Sequence, residues 1–83
     1  MLQVIEEARV ETGRRLRLRF ADGRCGTVDL GELVARGGVF DRLRDDAAFA
    51  QVRVGKGGRW LEWPGDIDLC ADSLYESLKT QSN

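Results

Sequence analysis

Arg15-Leu16-Arg17-Leu18-Arg19-Phe20 alternates charged and apolar side chains without a break. A strand repeats every two residues, so this stretch is read as one, with Leu16, Leu18 and Phe20 on one face and three arginines on the other. The preceding segment pairs with it. Val10 faces Leu16 and Ala8 faces Leu18 if Thr12-Gly13-Arg14 is the loop, and Glu11 then lies opposite Arg15 and Glu7 opposite Arg19. Each such cross-strand ion pair is worth about 0.2–1 kcal/mol. A two-residue turn at Thr12-Gly13 would set Val10 against Arg15 and mix the faces. The longer loop carries one defect, which is that it turns Glu6 toward the apolar side near Phe20. A bulge near Glu6, or a place at the open end of the sheet, relieves it.

Working forward from Phe20, Asp22-Gly23 between apolar runs is a strong hairpin signal. A tight turn there sets Phe20 against Cys25, whereas the apolar pattern brings Val28 and Leu30 inward, and both registers stay open. Leu30 to Arg36 fits a short helix that stops at Gly37-Gly38. Val39-Phe40 and Leu43 are expected to anchor the connection, and Asp45 or Asp46 to cap a helical turn over Ala47 to Ala50. Gln51 to Val54 and Arg59 to Trp63 read as a second hairpin around Gly55-Lys56-Gly57-Gly58, with Val52, Val54, Leu61 and Trp63 inward. A final helix begins at Asp72 or Ser73, where Ser73 to Glu76 matches a capping box and Leu74 and Leu78 share a face. The expectation is one α+β domain over residues 1–83, with its core in about 2–78. It would be a small antiparallel sheet of about five strands with two or three short helices on one side.

Composition narrows the function classes. The chain has 83 residues, 42% hydrophobic and 33% charged, with 13 basic and 14 acidic side chains and a net charge of −1. A balance this close to zero attracts neither nucleic acid nor anionic membrane over the molecule as a whole. A core this small makes an interface, a homodimer included, a reasonable part of the fold. There is no histidine, which removes histidine-based triads and imidazole metal ligands. Cys25 and Cys70 form no C-x-x-C pair and read as reduced structural or surface thiols. No basic-then-apolar leader and no membrane-length apolar run is visible, so the expected compartment is the cytoplasm, with no membrane partner.

Arg14 to Arg24 holds five basic residues and one acidic one, a local charge of +4, while Glu62 to Glu76 holds five acidic residues and no basic one, a local charge of −5. Arg15, Arg17 and Arg19 are therefore candidates for an interaction surface, since guanidinium forks suit phosphate and carboxylate. Their competing reading is a solvated strand face paired with Glu7 and Glu11. Asp66, Asp68 and Asp72 lack the spacing of a calcium loop and are better explained as a turn residue, a strand end and a helix cap. Gly55 to Gly58 is a hairpin loop rather than a phosphate cradle. Trp60 and Trp63 point to opposite faces of their strand. With Trp63 in the core, Trp60 is partly exposed beside Arg59 and joins the arginines as a candidate contact residue.

The ordered set Leu33, Arg36-Gly37-Gly38-Val39-Phe40, Leu43-Arg44-Asp45, Phe49, Val52, Trp63-Pro64-Gly65, Asp68-Leu69 and Asp72-Ser73-Leu74-Tyr75 resembles the bacterial family called domain of unknown function 2442. The resemblance runs from residue 2 to about 76, with Ala71 standing where the family often has proline. It implies a small α+β domain without established catalytic residues. Some members resemble one half of a toxin-antitoxin pair, and some larger relatives carry a helix-turn-helix region, which is not expected here because the sequence ends at Asn83. No catalytic, cofactor-binding or metal site follows from it. The expected role is a protein-protein interaction or regulatory module, antitoxin-like, whose partner is the product of a neighbouring gene. The alternative is a nucleic-acid-binding accessory protein using the Arg15/Arg17/Arg19 face, and an enzyme ranks third because only carboxylates, two thiols and Tyr75 are available for group transfer.

Overall fold

A computed structural model describes residues 2–81. The fold is α+β, and the described residues form six strands in two antiparallel sheets. The first contains β1 (Ile5–Val10), β2 (Arg15–Phe20) and β3 (Cys25–Asp29), and the second β4 (Arg53–Val54), β5 (Trp60–Trp63) and β6 (Ile67–Cys70), each in chain order. The expectation of about five strands in one sheet is corrected on both counts. The additional strand is β6, folded back on β5 through Pro64-Gly65-Asp66, with Asp66 in the left-handed region at φ 62°. The sheets stay separate although β1 packs beside β4. β4 is only two residues long, too short to extend a ladder, and β1 is bent at its start by a bulge.

That bulge settles the Glu6 defect. Glu7 pairs with Arg19, Ala8 with Leu18 and Val10 with Leu16, and the ladder then slips so that Ile5 faces Phe20. Glu6 swings into solvent, and Ile5 is buried in its stead. On the other side of β2, the Phe20 amide donates to the Arg24 carbonyl at 2.8 Å and the Gly23 amide to the Phe20 carbonyl at 3.0 Å. Ala21-Asp22-Gly23 is thus the loop, with Gly23 at φ 93°, and a tight turn opposing Phe20 to Cys25 is ruled out. Cys25 faces Arg19 and Val28 faces Leu16, as the apolar pattern prefers.

Among the described residues three helices complete the fold: α1 (Gly31–Ala35), α2 (Asp46–Phe49) and α3 (Ala71–Gln81), with 3-10 turns at Gly38–Arg44 and Lys56–Gly58. Asp45 caps α2, its Oδ2 accepting the Ala48 amide at 3.0 Å. α2 is held over β5 because the Trp63 indole donates to the Phe49 carbonyl at 3.0 Å while the two rings stack at 6.1 Å. α3 begins at Ala71, whose amide donates to the Arg59 carbonyl at 2.9 Å. The Ser73–Glu76 box consequently falls inside the helix, where it cannot cap, and Asp72 accepts a hydrogen bond from the Gln3 amide.

One cluster of buried side chains joins the layers: Leu16, Leu18, Phe20 and Val28 from the first sheet, Leu61, Trp63 and Ile67 from the second, and Leu43, Phe49, Leu74 and Leu78 between them. Three anticipated inward residues are outside it. Val39 is 65% exposed, Val54 36%, and Val10, the last residue of β1, 37%. Val39 rides on a 3-10 turn that Phe40 and Leu43 anchor, and β4 is too short to pin Val54 under cover. Among the described residues no helix is long and apolar enough to cross a membrane.

Candidate interaction surface

Strand geometry turns the side chains that alternate with Leu16, Leu18 and Phe20 outward. The outer face of the first sheet is therefore a grid. One end row is Glu7, Arg19 and Cys25, the middle row Arg9, Arg17 and Thr27, and the other end row Arg15 and Asp29 with Glu11, whose amide donates to the Arg15 carbonyl at 2.9 Å just past β1. The end rows neutralise themselves. Arg19 reaches Glu7 at 3.1 Å and the bulged Glu6 at 3.4 Å, while Arg15 reaches Asp29 at 3.6 Å. Glu11 accepts a hydrogen bond from the Thr27 hydroxyl at 3.2 Å.

The middle row differs. Arg9 and Arg17 are direct cross-strand partners, a like-charge pairing that costs rather than contributes stability. Arg9 touches Glu7 only at 3.4 Å, with the arginine side chain 69% exposed. Among the described residues Arg17 has no carboxylate within ion-pair distance, and its Nη2 meets only the Cys25 thiol, at 4.0 Å. Glu7, Arg9, Arg17, Leu18, Arg19 and Cys25 bound an open depression of ≈ 170 Å³ here. Both cysteines are free and exposed.

Arg15, Arg17 and Arg19 thus share one face, and Arg9 joins them. Reading charges along β2 misses Arg9. Reading them across the sheet finds it, because the register that opposes Val10 to Leu16 also opposes Arg9 to Arg17.

Trp60 belongs to the second sheet. β5 does split its tryptophans: Trp63 is buried and Trp60 is half-buried on the other face. Its ring lies over the backbone of Gly55, where a Cβ would come within 2.1 Å of the indole nitrogen. That nitrogen donates to Glu62 Oε1 at 2.7 Å, and Arg53 holds Oε2 of the same carboxylate at 2.7 Å. The indole bond first, and the guanidinium after it, keep the Glu62 carboxyl below the usual glutamate range.

Glu62 also faces Asp68 across the ladder, and Asp66 sits in the β5–β6 turn, so part of the acidic stretch gathers at one end of the second sheet. Asp72 is drawn away to Gln3 and Arg59. Among the described residues no group of three metal-binding side chains comes together.

The sequence profile described as "Protein of unknown function (DUF2442)" matches residues 5–80. The chain belongs to the DUF2442 family. This DUF2442 chain is similar in fold to the crystal structure of "Putative DNA Binding Protein NE0471 from Nitrosomonas europaea ATCC 19718", with a TM-score of 0.83 and 22% identity. The match covers 98% of this chain and 52% of that one, so the chain spans about half the length of the Nitrosomonas protein. No functionally curated protein matches it.

Proposed function

We propose that this DUF2442 chain is a non-catalytic binding module that docks a protein partner on the outer face of β1, β2 and β3. The carrying observation is the charge balance of that face. Arg9, Arg15, Arg17 and Arg19 are interleaved with Glu6, Glu7, Glu11 and Asp29. A polyanion favours an uninterrupted basic track. A mosaic of both signs, open and free of a deep cleft, suits a protein surface of complementary pattern, where charge sets register and selectivity. The absence of histidine from the chain supports a role without proton-transfer chemistry. In its antitoxin-like form the partner is the product of a neighbouring gene, and the complex is cytoplasmic.

The test is co-purification from native lysate with the wild-type chain, with Arg17→Glu and with a control, Arg36→Glu, whose exposed side chain lies outside this face. The expected result is a defined protein retained by wild type and control and lost with Arg17→Glu. A chain that stays solitary at low and moderate salt removes the reading.

Nucleic-acid binding is the second reading, and the name of the Nitrosomonas protein is what favours it. On this chain it would use the Arg9–Arg17 row, with affinity for duplex DNA that falls steeply as salt rises. No mobility shift at low salt rejects it.

A further inference from the structure

We infer that Arg9 and Arg17 form a receptor for a single carboxylate side chain on an acidic peptide segment of the partner. This rests on the docking face proposed above and names its chemistry. Directly opposed residues on neighbouring strands have Cβ atoms about 4.5–5.5 Å apart. Two arginines rooted at that spacing can converge their guanidinium forks on one anion, and a carboxylate meets such forks with paired, charge-assisted hydrogen bonds.

The flanking rows relieve the repulsion only in part. Glu7 divides its carboxylate between Arg19 at 3.1 Å and Arg9 at 3.4 Å, and Glu11 is engaged by Thr27 at 3.2 Å, so neither closes on Arg17. The open depression beside the pair, ≈ 170 Å³, suits one small anionic group.

The same rows choose between occupants. A nucleic-acid backbone running along β1 would meet Glu7 and Glu11 on either side of Arg9. An acidic side chain entering end-on avoids both. A second copy of the chain offers Asp66 and Asp68, but Glu62 is already held by Arg53 and Trp60. That contact would also be head-to-tail and open-ended. The favoured occupant is therefore an acidic segment of a different protein.

The experiment is a titration of the full, isotope-labelled chain at low ionic strength with an end-blocked hexaglutamate peptide, followed by amide and arginine side-chain resonances. The expected result is shifts centred on Arg9, Arg17 and Thr27. Affinity is expected to be roughly tenfold weaker in Arg17→Gln, which corresponds to ~1.4 kcal/mol, and unchanged in Arg36→Gln. Four results overturn the inference: no shift at these residues; equal weakening in Arg36→Gln, meaning diffuse attraction; tighter binding of a duplex DNA at the same residues, meaning a phosphate site; or a sedimentation coefficient that rises with protein concentration while the same resonances move, meaning a second copy. The partner read separates this failure from that of the docking face. Loss of the lysate partner in Arg17→Glu, without any response to hexaglutamate, leaves the face standing and removes only the carboxylate.

Discussion

The Tyr75 hydroxyl donates to Oδ2 of Asp22 at 2.6 Å, joining α3 to the β2–β3 loop across 53 positions of sequence. The Tyr75 ring meets Phe20 edge-on at 5.0 Å, and Arg24 lies over its face at 5.3 Å. The tyrosine hydrogen bond first, and the Arg24 amide after it, hold the Asp22 carboxyl below the usual aspartate range. A carboxyl with a folded pKa below its unfolded value contributes stability above the unfolded pKa and loses it as pH falls through the folded one. Tyr75→Phe should therefore raise the titration midpoint of Asp22. The stability gap between wild type and variant should be fullest at neutral pH and shrink below pH ~4. Carboxyl NMR titration and urea unfolding across that range check it, and an Asp22 midpoint common to both proteins would contradict it.

Deleting Glu6 should be tolerated. The bulge exists because Glu6 is one residue too many between Ile5 and Glu7, which face Phe20 and Arg19. Its removal leaves a regular ladder with the same apolar face, and forfeits an exposed ion pair worth about 0–1 kcal/mol. Deleting Ala8 also absorbs the extra residue and keeps Ile5 and Val10 in place, but it sets Glu7 opposite Leu18 on the apolar face, and an unpaired carboxylate turned inward should lower the melting temperature well below that of the Glu6 deletion. Thermal denaturation of the two deletions decides this, and equal damage from both would refute it.

How much of this was legible in advance depends on where each contact lies along the chain. The β1–β2 register followed from residues within one hairpin, because only one alignment puts Val10 and Ala8 on the side of Leu16 and Leu18. The bulge was visible as the one misplaced charge. The β2–β3 loop had two local solutions, and the choice fell to Val28, which is buried by packing from elsewhere in the fold. β6 is short, and the aspartates at and around it read as a turn residue, a strand end and a helix cap. Its alternation of Ile67 and Leu69 with Asp68 and Cys70 is a weak signal until β5 is beside it. The start of α3 could not be read locally, since what meets Ala71 is the Arg59 carbonyl and what meets Asp72 is the Gln3 amide. For the candidate face, the arginines of β2 were evident and their neutralising neighbours partly so, while Arg9 needed the cross-strand view.

Two glycines in the second hairpin should differ in their response to alanine. At Gly55, with an ordinary φ of −72°, the atoms nearest an added Cβ all belong to the Trp60 ring, the indole nitrogen at 2.1 Å. The ring can swing out, giving up its bond to Glu62. At Gly58, with φ +73°, the Cβ would stand 2.6 Å from the Ile5 carbonyl oxygen, part of the backbone that seats β1. Gly55→Ala should cost about 1–3 kcal/mol and shift Trp60 emission toward the red. Gly58→Ala should cost more and perturb β1. Equilibrium unfolding with tryptophan fluorescence ranks them, and a Gly55→Ala protein less stable than Gly58→Ala reverses the expectation.

Asp72 should act as the anchor of the N-terminal segment. Its Oδ1 accepts the Gln3 amide at 2.9 Å, and Arg59 approaches both of its oxygens at 3.3 Å while also donating to the Gln3 carbonyl. The Gln3 amide first, and Arg59 second, keep this carboxyl below the usual aspartate range. Its contribution is accordingly present above the unfolded pKa and lost as pH falls through the folded one. In Asp72→Asn the Gln3 amide should lose hydrogen-exchange protection at neutral pH, while Leu18, deep in the first sheet, keeps most of its own. Acidification should bring wild-type Gln3 down to the variant's protection factor and leave the variant unchanged. Protection factors corrected for intrinsic rates supply the comparison. Equal protection of Gln3 in the two proteins at neutral pH would mean that packing of Val4 and Ile5, rather than the carboxylate, seats the start of β1.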